Sequence, residues 1–177
     1  MTPDFPTRIS FDEAAGIIDR VAARRRLSSE RIPLQRGLGR VLAEDLVAPI
    51  ALPNFDNSAM DGFAVCGLPM PEGGWQLVGE QFAGADRGLA LAPGQGSRIT
   101  TGAPLPAGAD TVLMKENAAL RDGRVFPLAT PARGTHVRRA GEDVSPGETV
   151  LRAGQVLDAA SLSLAAALGQ PELRVTK

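Results

Sequence analysis

The chain is poor in several residue types from which common sites are built. Its 177 residues include one cysteine, one histidine, one tryptophan and no tyrosine. The single cysteine, Cys66, excludes an internal disulfide and is typical of a reducing compartment. Cys66 and the single histidine, His136, cannot by themselves supply the ligands of a usual zinc site. Since phenylalanine adds only six aromatic side chains, a surface on which nucleic-acid bases stack is not expected.

Charge and hydropathy exclude further classes of protein. The 19 basic and 20 acidic residues leave a formal net charge of -1, which does not indicate a face that binds a polyanion. Met1–Ile9 contains Asp4 and lacks an apolar core, so it does not resemble a signal peptide. The longest apolar run, Leu164–Leu168, is too short to span a bilayer. We therefore expect a soluble cytoplasmic protein with no nucleic-acid or membrane partner.

Two helices are predicted, one near each end of the chain. Ser10 and Glu13 form a capping box, and apolar residues recur after it at helical spacing, which predicts a helix from Phe11 to Arg26. Near the other end, Asp158 is a good N-cap. The segment that follows, Ala159–Leu168, is apolar on almost every side, so we expect a largely buried helix there.

The middle of the chain has the pattern of an all-β domain. Short apolar runs alternate with glycine and proline, and no helix of normal length fits between Gly67 and Gly141. This spacing predicts a small β-sandwich or β-barrel, with strands that include Trp75–Val78, Gly96–Ile99, Thr111–Met114 and Arg124–Phe126. His136 lies in a strand-like context, and we expect it to be structural rather than catalytic.

The stretch Pro53–Val65 is the most distinctive in the chain. It contains two aspartates, two asparagines and a serine, residues whose side chains bond to nearby backbone and favour turns. Asp61-Gly62 is a strong turn pair, and Phe63–Val65 is typical of the start of a buried strand. A tight, well-capped loop explains this pattern. Short polar groups held at a rigid edge are also typical of a functional site, and the residues alone leave both interpretations open.

Three blocks of sequence resemble one known family. Asp56–Gly62, followed by an aromatic residue and Ala-Val, resembles the signature loop of the MoeA family of molybdopterin molybdenumtransferases, a loop that the related E domain of gephyrin shares. Arg98–Val112 and Arg139–Val144 resemble two further diagnostic runs of the family, in the same order. The resemblance covers nearly the whole chain but only the N-terminal part of the family, which continues into a larger α/β domain and a small C-terminal β-domain.

The resemblance implies a mixed α+β fold that is mainly β. It implies an elongated α/β dimerisation domain at 27–47 and 146–177, a small β-barrel or β-sandwich domain inserted at 48–145, and an N-terminal helical segment at 1–26. In the family the N-terminal helix packs on the larger α/β domain, and the elongated domain forms the dimer. We therefore expect a homodimer.

The resemblance also selects the residues of a site. It implies that Asp61, Thr101 and Asp143 lie at an active-site cleft, have the catalytic role and face the α/β domain of the other subunit. From the residues alone, all three could instead cap turns, because each lies close to a glycine. Four more residues are expected to bind the cofactor, namely Asn57, Ser58, Lys115 and Glu142.

Two of these four residues can also be considered from their neighbours. Lys115 follows a predicted strand and could face a phosphate or molybdate, although a solvated surface lysine is the commoner case. Glu142 is adjacent to Asp143, so like-charge repulsion could raise a carboxylate pKa at this point, although the sequence does not show the distance between the two groups.

The reaction that the resemblance implies is insertion of molybdenum from molybdate into adenylylated molybdopterin, with release of AMP and help from Mg²⁺. A hydrated Mg²⁺ needs only one or two protein carboxylates, and it would stabilise the charge that builds up as a phosphoanhydride breaks. In the family most pterin and nucleotide contacts belong to the α/β domain, so residues 1–177 alone are expected to be inactive and to need that domain in cis. The alternative is a non-catalytic module that uses the same fold for dimerisation or partner binding.

Overall fold

The computed structural model describes residues 8–24 and 27–177. Contacts divide the chain into two compact units. The first unit comprises the described residues of Met1–Asp45 together with Leu151–Lys177, and the second comprises Leu46–Val150. The domains predicted at 1–26, 27–47 with 146–177, and 48–145 stay predictions, as does the assignment of dimerisation to one of them.

The first helix, α1, spans Phe11–Arg24 and begins with the predicted capping box. The backbone N–H of Ser10 donates to Glu13 Oε2 at 2.9 Å, and the N–H of Glu13 donates to Ser10 Oγ at 3.2 Å. None of the residues of α1 is buried, and Phe11 and Ile18 are 86% and 66% exposed. The last two residues of the predicted helix, at 25–26, lie outside the described residues.

The core of the first unit is built on a two-stranded ribbon. Strand β1 (Ser29–Pro33) pairs antiparallel with the last strand of the chain, Glu172–Thr176, so that Ile32 lies opposite Leu173. A single 3-10 turn, Leu34–Arg36, follows β1. The buried apolar residues of this unit include Ile32, Leu42, Leu157, Leu168, Leu173 and Val175.

The second helix, α2, spans Ala159–Ala167 and is less buried than predicted. Asp158 caps it as expected, because its carboxylate accepts the N–H of Ser161 at 2.8 Å. Of the nine residues of α2, all described, Ser161 and Ala165 are buried, and Leu168 follows them at the C-cap. These residues are four and three positions apart, so α2 buries one narrow stripe. The alanines at 159, 160, 166 and 167 lie exposed, so the apolar circumference did not predict burial of the whole helix.

The second unit contains ten strands in the described part of the chain. Their bounds are β2 Leu46–Val47, β3 Asn57–Ser58, β4 Gly62–Val65, β5 Trp75–Gln81, β6 Gln95–Ile99, β7 Thr111–Met114, β8 Ala118–Arg121, β9 Arg124–Pro127, β10 Val137–Arg138 and β11 Thr149–Leu151, the last residue of which belongs to the first unit. The strand Glu172–Thr176 is β12.

Six of these strands form one curled sheet, in the order β7-β4-β6-β5-β9-β8. Strands β5 and β6 are parallel, whereas the other neighbours are antiparallel. Successive side chains of β4 enter different clusters: Phe63 and Val65 pack with Trp75 and Val125, and Ala64 packs with Ile99 and Val112. Both faces of the sheet are therefore buried at β4, which explains why this strand has no polar alternation.

The predicted fold class is confirmed, since the described residues are mainly β with two α-helices. Between Gly67 and Gly141, a fully described stretch, the helical structure is limited to the 3-10 turn Lys115–Asn117. The four strands predicted in this stretch are all present, with ends that differ by up to three residues. Within residues 8–24 and 27–177, no helix combines the length and the hydropathy that a membrane span needs.

Candidate functional site

The loop Asp56–Gly62 includes the short strand β3 and leads into β4, and it is held by its own polar side chains. Asn57 and Ser58 are 6% and 1% exposed. Asn57 Nδ2 donates to the carbonyl of Phe55 at 3.2 Å, and Ser58 Oγ donates to the carbonyl of Met60 at 2.6 Å. Both side chains therefore serve the loop itself. The cofactor contact predicted for Asn57 and Ser58 stays a prediction.

The second block of sequence, Arg98–Val112, lies directly beside this loop. Thr101 donates its backbone N–H and its hydroxyl to Asp61 Oδ1, at 2.8 and 3.1 Å. Two backbone bonds join the same segments, from Gly102 N–H to the Ser58 carbonyl at 2.8 Å and from Ser58 N–H to the Ala103 carbonyl at 3.1 Å. The fold thus brings together Asp61 and Thr101, which are 40 positions apart in the sequence.

A cation completes this group. Lys115 follows β7, and its N–H donates to the Asp61 carbonyl at 3.1 Å, while its Nζ lies 3.8 Å from Asp61 Oδ2 and 3.9 Å from Glu116 Oε1. The Lys115 side chain is 61% exposed, so it is both a solvated lysine and a cation next to a predicted site residue. We call Asp61, Thr101 and Lys115 the Asp61 cluster.

The close approach of two strands explains how Lys115 reaches Asp61. Gly62 lies opposite Met114 in the pairing of β4 with β7. A Cβ atom on Gly62 would lie 1.8 Å from the carbonyl oxygen of Leu113. Only glycine therefore allows the backbones to approach this closely.

The electrostatics of the Asp61 cluster favour the charged form of the acid. The N–H of Thr101, then its hydroxyl, and to a smaller extent Lys115 hold the pKa of Asp61 below its ordinary value of 3.8. Hydrogen bonds donated to a carboxylate stabilise its ionised state. At neutral pH Asp61 is therefore an anion, which can accept a proton or a hydrogen bond but cannot act as a general acid.

The third block, Arg139–Val144, follows an arginine that sequence reasoning missed. Arg138 Nη2 donates to Asp143 Oδ2 at 2.6 Å, and Arg138 Nε donates to Glu142 Oε1. Glu142 Oε2 also accepts the N–H of Arg139 at 2.8 Å. The spacing was the available signal for these contacts, because Arg138 precedes Glu142 by four positions and Asp143 by five.

The pKa of Glu142 is lowered, so the rise considered from like-charge repulsion with Asp143 is wrong for this residue. The hydrogen bond from Arg138, followed by the N–H of Arg139, lowers the pKa of Glu142, and these contacts outweigh the repulsion from Asp143. A guanidinium in direct contact with a carboxylate acts over a shorter distance than a neighbouring acid on the chain. Glu142 therefore caps its turn as an ionised group and is tied to Arg138 and Arg139.

Asp143 stands apart from the Asp61 cluster. Within residues 8–24 and 27–177, no hydrogen bond or ion pair joins Asp143 to Asp61 or Thr101. The first and third blocks are joined instead by Asp56, whose Oδ1 accepts the N–H of Ala140 at 2.8 Å and whose Oδ2 accepts from Arg139 Nη1. Sequence reasoning did not select Asp56, because the partners lie 83 and 84 positions away.

The described residues do not by themselves form a metal centre. Across the ranges that the structure covers, no group of three or more His, Cys, Asp or Glu side chains is arranged to hold a metal ion. Asp61 is already bonded to Thr101 and lies near Lys115, and Asp143 is bonded to Arg138. These donors do not make up a complete magnesium site. The part predicted for Mg²⁺ in the reaction stays a prediction.

His136 lies in a turn and not in the strand-like segment expected from its neighbours. Its φ of 58° is in the left-handed region, which histidine enters more readily than most residues. Its carbonyl accepts the N–H of Ala59 at 2.9 Å, and β10 begins at the next residue. His136 is one of the residues that line an open cavity of about 290 Å³ beside β7, with Met114, Asn117 and Pro131 among the others.

Comparison with known proteins identifies the family. Residues 9–169 match the family described as MoeA N-terminal region, domains I and II. The chain belongs to this family. The resemblance seen in the three blocks of sequence is thereby confirmed, including its restriction to the N-terminal part.

Curated relatives extend beyond the matched part. The chain is 45% identical over 152 residues to molybdopterin molybdenumtransferase 2 of Mycobacterium tuberculosis, a match that covers 81% of this chain and 37% of the relative. It is 38% identical over 175 residues to the molybdopterin molybdenumtransferase of Synechococcus elongatus, with 94% and 43% covered. The chain therefore spans about two fifths of the length of these relatives.

Solved structures of MoeA proteins share the fold. The molybdopterin biosynthesis MoeA protein of Pyrococcus horikoshii OT3 has a TM-score of 0.78 and 32% identity, over 84% of this chain and 41% of the other. A second structure from the same species has a TM-score of 0.79 and 26% identity, over 95% and 44%. These MoeA structures support the mainly β architecture described above.

Proposed function

We propose that this chain is part of an enzyme that inserts molybdenum from molybdate into adenylylated molybdopterin and releases AMP. The observation that carries the proposal is the contact of the other two family blocks with the loop Asp56–Gly62, where Thr101 holds Asp61 ionised. The curated relatives are named molybdopterin molybdenumtransferases, which supports the same reaction. A module used only for partner binding would not need this buried scaffolding beneath an exposed acid and cation.

The Asp61 cluster has chemistry that suits oxyanion substrates. Molybdate and the phosphates of an adenylylated pterin are anions, and a lysine ammonium binds such groups as a point charge. Lys115 is exposed and only 3.8 Å from Asp61, so its ammonium can pair with an incoming oxyanion without a large movement of the chain. Asp61, kept ionised by Thr101, would accept a hydrogen bond from a hydroxyl of the substrate and so orient it.

Asp143 has a separate proposed role, since among the described residues its carboxylate is bonded to Arg138 and not to the Asp61 cluster. Arg138 fixes its carboxylate, which remains 55% exposed. An exposed carboxylate bonded to a guanidinium keeps its orientation while one side remains free to receive a partner. Since the relatives are more than twice as long as the matched region, we propose that Asp61 and Asp143 face residues that this part of the family does not contain, in a homodimer located in the cytoplasm.

The test uses the whole protein that the gene encodes and measures molybdate-dependent release of AMP from adenylylated molybdopterin. Asp61→Asn keeps the shape of the side chain but removes its charge, and we expect the rate to fall roughly 10-fold or more. Glu80→Gln is the matched control, because Glu80 is also an exposed acid 3.8 Å from a cation, Arg98. Its rate should stay within about twofold of the wild type.

Two results would contradict the proposal. If the wild-type protein releases no AMP from this substrate, the reaction is wrong. If Asp61→Asn is as active as Glu80→Gln, the Asp61 cluster serves the loop alone and the turn-capping interpretation applies.

A further inference from the structure

Asp56 makes more connections between the three blocks than the other residues of its loop. Its carbonyl accepts the N–H of Leu105, in the second block, at 2.9 Å. Its carboxylate accepts the N–H of Ala140 and the guanidinium of Arg139, both in the third block. Asp56 thus contacts both of the other blocks, with its backbone on one side and its side chain on the other.

The carboxylate of Asp56 fills a gap in backbone pairing. On one side of the gap, β3 and β10 pair Asn57 with Arg138. On the other side, Gly141 N–H donates to the Pro53 carbonyl at 2.9 Å and Asp143 N–H donates to the Leu52 carbonyl at 2.9 Å. Arg139 and Ala140 lie between these two stretches, where no backbone carbonyl of the described residues accepts the Ala140 N–H.

The gap lies next to the residues that hold Asp143. Arg138, which binds the carboxylates of Glu142 and Asp143, immediately precedes Arg139. The N–H of Arg139 in turn donates to Glu142. Because Arg138 and Arg139 are adjacent in the chain, a movement of the Arg139–Ala140 segment away from Asp56 would also shift the Arg138 guanidinium, which orients Asp143.

We propose that Asp56 is a positioning residue that acts through Asp143, by holding the Arg139–Ala140 turn and thereby the Arg138 guanidinium in place. This inference rests on the proposed function, because it assigns Asp56 a part in the same reaction. It is independent of the Asp61 cluster, whose contacts with Thr101 and Lys115 do not involve the Asp56 side chain.

The charge of Asp56 is the feature to test. The N–H of Ala140 is the largest cause that lowers the pKa of this carboxyl, and the contact with Arg139 acts in the same direction. Asp56→Asn can still accept one hydrogen bond from Ala140, but it loses the attraction to Arg139. The substitution therefore loosens the turn without leaving a cavity.

The experiment compares steady-state kinetics of the whole protein with its thermal stability. Asp56→Asn, Asp143→Asn and the double variant are measured at a temperature at which each is fully folded by circular dichroism. We expect Asp56→Asn to lower kcat roughly 10-fold with KM within about twofold, because misplacement by about 1 Å is enough for losses of this size. The double variant should be no slower than Asp143→Asn, because residues that act through one another are not additive.

Arg133→Gln is the matched control. It breaks an Arg–carboxylate pair of the same chemistry, Arg133 with Asp110, in the same unit of the chain. Its kcat should stay near the wild-type value even if its melting temperature falls. A purely structural role for Asp56 would give the same result as this control.

Each outcome bears on one claim. Wild-type kcat in Asp56→Asn with a lowered melting temperature would overturn the inference, since Asp56 would then only cap a turn. Losses that multiply in the double variant would also overturn it, because Asp56 would not act through Asp143. An inactive wild type would instead contradict the proposed function, and this result is distinct from the other two.

Discussion

Thr101 donates two hydrogen bonds to one oxygen of Asp61, from its backbone N–H at 2.8 Å and from its hydroxyl at 3.1 Å. The second oxygen of Asp61 faces the ammonium of Lys115 at 3.8 Å. One side of the carboxylate is therefore held by neutral donors of the chain, and the other faces an exposed cation. This division allows the acid to stay in place while the cation changes partner.

The first prediction concerns the titration of Asp61. Thr101→Val removes the hydroxyl and keeps the N–H, so the pKa of Asp61 should rise but stay below its ordinary value, since the N–H is the larger cause. A carboxyl whose folded pKa is lowered stabilises the fold above its unfolded pKa, and this stability is lost as the pH falls through the folded pKa. The loss of stability in Thr101→Val should therefore shrink at acid pH. Carbon-13 NMR titration of the carboxyl and urea unfolding across pH measure the two effects.

Thr100→Val is the control for this titration. The hydroxyl of Thr100 accepts the N–H of Ala83 at 3.0 Å and does not bond to Asp61. An equal change in the Asp61 pKa in both variants would mean that the Thr101 hydroxyl is not the cause.

The second prediction concerns Gly62. A methyl group at this position would lie 1.8 Å from the backbone oxygen of Leu113, which cannot move without parting β4 from β7. Gly62→Ala should therefore reduce the free energy of unfolding by about 3 kcal/mol or more. Denaturant unfolding of the wild type and of Gly62→Ala measures this change in the free energy of unfolding.

Gly16→Ala provides the comparison for Gly62→Ala. Gly16 lies inside α1, and a Cβ there would be 3.5 Å from a flexible arginine side chain. Because alanine favours helix over glycine, this change should be neutral or stabilising by up to about 1 kcal/mol. A similar loss in the two variants would show that the contact with Leu113 is not decisive.

The third prediction concerns two buried serines in strands. Ser97 is 0% exposed and its Oγ finds no hydrogen-bond partner among the described residues. A buried, unpaired hydroxyl is unfavourable, so Ser97→Ala should stabilise the chain by about 0.5 to 1 kcal/mol. Ser58 is 1% exposed and its Oγ donates to Met60, so Ser58→Ala should cost about 1 kcal/mol. Thermal unfolding of both variants tests the contrast, and a change of the same sign in both would contradict it.

The fourth prediction concerns assembly. Helix α2 leaves several small apolar side chains exposed, namely Ala159, Ala160, Ala166 and Ala167, and α1 exposes Phe11 and Ile18. Apolar surface of this kind favours association, and two-fold dimers are the commonest solution. We expect sedimentation at micromolar concentration to show a dimer of a chain whose monomer is 18.5 kDa. A mass that stays at the monomer value as the concentration rises would contradict this expectation.

Local interactions were predicted well from the sequence. The capping box of Ser10 and Glu13, the N-cap at Asp158 and the strand Thr111–Met114 all depend on residues a few positions apart. Hydrogen bonds and side-chain periodicity over such distances are encoded in the order of residues, because the chain cannot separate these groups. The three blocks of the MoeA family were recognised for the same reason, since each is a short continuous run.

The contacts between the blocks were decided only by the tertiary structure. Asp61 meets Thr101 across 40 positions, and Asp56 meets Arg139 across 83. Arg138 binds the two acids of its own turn. Its hydrogen bond lowers the pKa of Glu142, which the adjacent Asp143 alone would raise. Such outcomes follow from distances in space and from competition among partners, which residue order does not specify.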